Sequence, residues 1–239
     1  MDKSDIGHHI SHKYNLELED LRNRVLTMGG LVEKQIGDAV NALVSGDTQL
    51  ADHVITTDYQ VNSLEVGIDV ECTRVLARRQ PAASDLRLIV AVIKTITDLE
   101  RIGDEAEKVA HMGLQLASQE RPKNNYSELQ SMGKIVREML HNSLNAFARM
   151  DVEEALRVVH EDKKVDHEYE AIMRQRITFM MEDPRSIARS LDVMWAARSL
   201  ERMGDHARNI CEYVIYLVKG KDVRHTSLEQ MEEAARSGS

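Results

Sequence analysis

The hexapeptide Leu99-Glu100-Arg101-Ile102-Gly103-Asp104 returns 101 residues later as Leu200-Glu201-Arg202-Met203-Gly204-Asp205, changed only at Ile102/Met203. At a shift of 104, residues 28–62 fall on 132–166 with ten identities in 35, among them Met28/Met132, Gly29/Gly133, Asp47/Asp151 and Asp58/Asp162. Pro81 matches Pro184 at a shift of 103. A drift of three residues is what short loop deletions produce. Helical sequences align by composition, but not with a cap, a proline and a hexapeptide in the same order. The chain is therefore an internal duplication, and both halves must fold by one rule.

That rule is helical. Leu18, Leu21, Val25, Met28, Val32, Ile36, Val40 and Leu43 recur in steps of three and four, the signature of an amphipathic helix. Six such segments follow one another: about 16–44, 48–79, 84–119, 127–149, 151–181 and 186–219. Asp47 and Asp151 stand where N-caps are needed. Pro81 and Pro184 stand where helices stop. Only 3 prolines and 4% aromatic residues occur in 239, which argues against a sandwich or barrel. The expected fold is all-α: two tandem three-helix bundles, 13–120 and 126–220, related by a pseudo-twofold. Arg121 to Asn125 form the loop between them. Residues 1–12 and 221–239 read as polar tails, the second with room for a short helix near 227–236.

Acidic residues outnumber basic ones 40 to 31, a net charge of −9, which disfavours a broad nucleic-acid surface. Cys72 and Cys211 make neither a disulfide framework nor a zinc site; both suit buried positions in a reducing cytosol. The start, Met1 to Ile10, lacks an apolar signal run. The longest apolar stretch, Leu88 to Ile93, is far short of the ~20 residues that a span needs. A cytoplasmic protein with no direct membrane insertion is expected, meeting a membrane only through partners. Phosphate-binding glycine loops and nucleophile elbows are missing from the sequence.

Glu100/Asp104 and Glu201/Asp205 each stack two carboxylates at i,i+4 on one helix face. Chance would put roughly seven such pairs in a chain this acidic, so spacing alone means little. Recurrence in both repeats is what singles these two out. Gly103 and Gly204 lie inside the same helices, where glycine costs ~1 kcal/mol against alanine. They predict close approach by another group. Asp162/Asp166 form a further pair on the fifth segment; the matching places on the second hold Asp58 and Asn62. Facing pairs from two helices can make an all-oxygen site for Mg, Ca, Mn or carboxylate-bridged iron. The same spacing equally fits solvated faces laced to nearby Arg and Lys. A ferritin-like oxidase needs two Glu-x-x-His motifs, and only Glu138–His141 occurs. His167 and His206 read as solvated or as outer ligands. Arg78, Arg79 and Arg87 form a basic cluster suited to an acidic partner or to a solvated loop. Clustered carboxylates leave a metal-dependent enzyme as the rival class. The absence of an acid–base set favours a binding protein.

Arg78-Arg79-Gln80-Pro81, Ser84-Asp85-Leu86-Arg87 and Asp98 to Asp104, with the second copy at Leu200 to Asp205, resemble the PhoU family of bacterial phosphate-transport accessory regulators. The resemblance runs from about residue 15 to 220 and includes the duplication. It implies two three-helix bundles, often dimeric. It also implies metal held by acidic x-x-x-Asp pairs: Glu201, Asp205, Asp162 and Asp166 in the second bundle, Glu100, Asp104 and Asp58 in the first. A divalent metal, iron or zinc is implied, without choosing among them. Asn62 departs from the acidic pattern and puts the first-bundle site in more doubt. The resemblance further implies a non-enzymatic regulatory adaptor. Its partners would be the ATPase subunit of a phosphate ABC transporter and a phosphate sensor histidine kinase. It would keep the phosphate-starvation (Pho) response off and modulate uptake when phosphate is plentiful.

Overall fold

The computed structural model describes residues 3–81, 83–119 and 126–236, the first ten by backbone alone. The expected 121–125 loop lies outside the described residues. Among the described residues there are eight α-helices: α1 (Lys3–Ser45), α2 (Thr48–Thr57), α3 (Tyr59–Arg79), α4 (Ala83–Ala117), α5 (Ser127–Arg149), α6 (Val152–Glu182), α7 (Ile187–Lys219) and α8 (Leu228–Arg236). A 3-10 turn, Pro184–Ser186, precedes α7. α1, α2/α3 and α4 make the first bundle; α5, α6 and α7 make the second.

The two caps form as their residue types dictate. Asp47 accepts a hydrogen bond from the Leu50 amide and Asp151 from the Glu154 amide, both at 3.0 Å. Each follows a left-handed residue that closes the preceding helix, Gly46 (φ 75°) and Met150 (φ 54°). Glycine adopts that conformation freely, whereas Met150 is held in it by the bundle.

Three boundaries differ from the periodic reading. α1 begins at Lys3, because helical hydrogen bonding runs on past the last core-facing turn. The second segment breaks at Asp58, where the Val61 amide reaches the Asp58 carbonyl at 2.8 Å, an i,i+3 tightening of the ladder. The polar C-terminal stretch is anchored through Val223, Met231 and Ala235, all buried.

The two halves share one core. Its fully buried members include Leu21, Ile36, Ile89, Leu99 and Ile102 from the first half and Phe147, Val193, Leu200 and Ile210 from the second. Each such side chain contributes about 1.5–3 kcal/mol. Among the described residues α4 packs along α7, and α1 packs on α5. The pseudo-twofold is visible in that second seam. A Cβ on Gly133 would stand 2.6 Å from Val40, and one on Gly29 would stand 2.5 Å from Leu144. These are matched positions at the shift of 104. Both glycines are small because a partner side chain from the other half fills their space. Cys72 and Cys211 are fully buried, and burial pushes the Cys72 thiol up to about 12.

Candidate functional site

Gly103 and Gly204 decide where the second-helix carboxylates go. A Cβ on Gly103 would meet Asp58 Oδ1 at 3.1 Å and Gln35 Oε1 at 3.4 Å; on Gly204 it would meet Asp162 Oδ1 at 3.5 Å. The close approach expected at both glycines is thus made at Gly103, by Asp58; at Gly204 a Cβ would meet only ordinary contacts, Val165 Cγ1 at 3.4 Å before Asp162. Both aspartates are 5% exposed.

In the first bundle, Asp58, Asp104 and Glu107 each bring a carboxylate oxygen within 4.8 Å of the other two. Among the described residues, no other set of three His, Cys, Asp or Glu side chains comes together this way. Asp58 Oδ1 accepts from Gln35 Nε2 at 3.1 Å and Oδ2 from Asn62 Nδ2 at 3.3 Å. Asn62 therefore supports the buried carboxylate by hydrogen bonding. Gln35 is 4% exposed, and its Oε1 has no hydrogen-bond partner. Such an orphaned buried acceptor costs about 1–3 kcal/mol unless something binds it. Glu107 Oε1 lies 3.5 Å from Nε2 of His111 at the rim. Burial and crowding act together on the acids. Burial, then Asp58, raises the Asp104 pKa, against a lowering pull from Lys108. Burial, then Asp104, Glu65 and Asp58, raises that of Glu100.

The second bundle repeats the frame and changes its contents. Burial pushes the Asp162 carboxyl up to about 6, reinforced by Asp205 and Asp166 and opposed by Arg208. Loss of solvation raises the pKa values of Glu201 and Asp205 as well, each with a further push from Asp166. The four acids expected there, Glu201, Asp205, Asp162 and Asp166, thus sit within electrostatic reach of one another. A guanidinium sits among them. Arg208 Nη1 is 3.4 Å from Asp162 Oδ2, and its Nε is 3.6 Å from Glu212 Oε1. Arg198 Nη1 takes Glu201 Oε1 at 2.5 Å. At the shift of 101, Arg208 is the counterpart of Glu107; at 104, Met139 is the counterpart of Gln35.

Glu107 and Gln35 were not singled out from the sequence. Glu107 carried a signal, since it lies three residues past Asp104 on the same helix face. Gln35 carried none, being one polar residue beside an apolar stripe.

A separate polar cluster joins the bundles. Asp98, 2% exposed, accepts from His206 Nδ1 and Tyr213 Oη, both at 2.7 Å, and from Asn209 Nδ2 at 3.3 Å. Beside it, buried Glu105 takes Arg202 at 2.8 Å and Lys108 at 2.9 Å. His206 is thus neither solvated nor a ligand in the carboxylate cluster; it is a buried cross-bundle donor. Two of the three arginines in the basic cluster are engaged within the fold. Arg79 makes two 2.8 Å bonds to Glu17, and Arg87 donates to the Leu217 carbonyl at 3.3 Å. His141 pairs with Glu33 across the α1–α5 seam at 3.1 Å.

Comparison with known proteins matches this architecture. The PhoU domain matches twice, over residues 25–112 and 129–214. The phosphate-specific transport system accessory protein PhoU homolog of Pseudomonas aeruginosa is 54% identical over 233 residues, covering 98% of this chain and 96% of its own. The Escherichia coli K12 accessory protein PhoU is 49% identical with the same coverage. The crystal structure of PhoU from Pseudomonas aeruginosa superposes with a TM-score of 0.84 at 55% identity, covering 87% of this chain and all of that one. The phosphate transport system regulatory protein PhoU from Streptococcus pneumoniae gives 0.81 at 33% identity, covering 88% and 99%. Two tandem bundles with a doubled acidic motif, matched over nearly the whole length, place the chain: it belongs to the PhoU family.

Proposed function

We propose that the protein is a regulatory adaptor of a phosphate-specific transport system. It binds the ATPase subunit of the phosphate ABC transporter and a sensor histidine kinase in the cytoplasm, as a homodimer and without turnover. At high phosphate it holds the kinase in its non-activating state and modulates uptake. The observation that carries this reading is 54% identity over 98% of the chain to an accessory protein of that system. No helix among the described residues is long and apolar enough to cross a membrane. Acting as a switch requires that one partner's conformations be bound with different affinity.

The carboxylate clusters are, in the same reading, metal-binding faces. The first-bundle set fits a hard cation: three carboxylates converge beside an orphaned amide oxygen, and oxygen donors of this kind suit Mg, Ca or Mn. A bound cation would supply charge that ties α2/α3 to α4. Asp58, Asp104 and Glu107 would hold it, with Gln35 and Asn62 orienting Asp58. Glu100, Glu201, Asp205, Asp162 and Asp166 flank these positions or repeat them.

Deleting the gene and assaying a phosphate-responsive promoter at high phosphate tests the adaptor. Derepression is expected; unchanged repression would overturn it. A pull-down at high phosphate should recover the ATPase subunit or the kinase.

A further inference from the structure

The α1–α5 seam holds a cavity of about 430 Å³ whose lining is out of character for a chain of net charge −9. Ten residues line it, and none is acidic. Ile36 and Val40, both buried, make an apolar floor. Exposed Asn41, Ser127, Gln130 and Ser131 supply neutral polar groups, and Lys134 and Arg137 supply charge. The first turn of α5 closes one end, and among the described residues no side chain caps it. A helix N-terminus carries partial positive charge.

Duplication supplies a control. At the shift of 104 the counterparts of Gly37 and Arg137 are His141 and Glu33, and those two pair with each other at 3.1 Å. Gly30 is the counterpart of Lys134. One end of the seam thus neutralises itself, while the other gathers cations. A Cβ on Gly37 would stand 3.4 Å from Arg137 Nη1, so the guanidinium lies across bare backbone. Arg137 has no hydrogen bond or ion pair among the described residues. Acids stand close by, since a second hollow on the other flank of Arg137 includes Glu33 and Asp38. Glu33 is held by His141, however, and Asp38 by Lys34 at 3.2 Å. Lys134 has only Glu138, at 3.9 Å, with both side chains more than half exposed.

We propose that this cavity binds the phosphate group of a small ligand, with Arg137 and Lys134 as its anion-binding pair. The two stand at i,i+3 on one face of α5. A guanidinium offers a fork to two phosphate oxygens, and an ammonium adds a point charge. Together they match a dianion, whereas a single carboxylate would leave one cation unanswered. The hydroxyl of Ser131 and the amide of Asn41 can donate to the remaining oxygens or to a hydroxylated body. No aromatic residue lines the cavity, so it offers no platform for a nucleobase. Its volume lies in the range of small-molecule sites and exceeds what a lone phosphate ion fills. The ligand is therefore inorganic phosphate or the phosphate end of a polar metabolite such as a sugar phosphate. This goes beyond the adaptor and metal-binding readings and depends on neither.

The test is a calorimetric titration of the full chain, stripped with chelator, in about 0.1 M salt. Glucose 6-phosphate, inorganic phosphate and glucose are the separate titrants. Glucose 6-phosphate should bind at one site per chain, and glucose should not bind. Arg137→Gln should weaken binding at least about tenfold, since hydrogen bonds to a charged group are lost. Glu138→Gln, which frees Lys134, should tighten it, an effect that misfolding cannot produce. Arg74→Gln removes an equal charge near Glu17, twenty residues or about 30 Å along α1 from Gly37, and should leave binding unchanged. Inorganic phosphate that binds with the same dependence on Arg137 would make the phosphate group alone the determinant; binding of the ester only would add its polar body. Absence of binding by both phosphates would overturn the proposal. So would binding that Arg137→Gln leaves intact, or that Arg74→Gln weakens equally.

Discussion

Nδ1 of His206 lies 2.7 Å from Oδ1 of Asp98, across the seam between α7 and α4. An ionised carboxylate only accepts, so the proton is on Nδ1. Tyr213 and Asn209 donate to the same carboxylate, making Asp98 the point where the two bundles share their buried polarity. Asp98→Ala leaves three donors without an acceptor. It should cost about 3 kcal/mol, because stripping a charged acceptor from a buried network removes bonds to charge and orphans the donors. A shift in the urea midpoint at unchanged slope would show it.

The α1–α5 seam offers a packing test. Gly133→Ala puts a methyl 2.6 Å from the stiff side chain of Val40. It should destabilise by about 1–2 kcal/mol through overpacking, despite the better helix propensity of alanine. Val40→Ala in the same chain should recover part of that loss, a coupling that a double-mutant cycle measures. Nothing lies within 4 Å of a Cβ at Gly30, so Gly30→Ala should instead stabilise by up to ~1 kcal/mol.

Removing the caps Asp47→Ala and Asp151→Ala should each lower stability by about 1 kcal/mol. Thermal melts of the two single variants and the double check this; a double variant no worse than either single would contradict it.

Glu212 is buried on α7, facing Arg208, Asp222, Arg224 and Asp98. Burial raises its carboxyl from an ordinary 4.5 to about 7. A raised folded pKa means that the native state holds the proton more tightly. The stability Glu212 contributes is therefore full below about pH 4.5 and is lost as pH rises through about 7. Urea denaturation between pH 4.5 and 8 should show that decline, and Glu212→Gln should flatten it relative to the wild type.

Much of this is legible in the sequence. The caps at Asp47 and Asp151 follow from residue type, and the breaks before Pro81 and Pro184 from proline sterics. Buried cysteines and the close approach at Gly103 follow from burial preference and from the cost of a mid-helix glycine, whereas Gly204 meets only ordinary contacts. Other features were not legible. His206 reads as a surface histidine in the sequence because it follows the charged Asp205. It is buried because a half-turn of α7 faces α4, and its partner Asp98 is 108 positions away in sequence. The break at Asp58 leaves no periodic trace, since its residues keep the helical spacing on both sides.

The sequence by itself determined the helices, their caps, the duplication and which carboxylates share a helix face, because these depend on residues a few positions apart. Only the tertiary structure decided which faces meet. Helical period sets the angle of a side chain about its own axis but says nothing of the rotation and register of the helix opposite. That rotation brings Glu107 to Asp58 in one bundle and Arg208 to Asp162 in the other, from repeats whose matching hexapeptides are nearly the same.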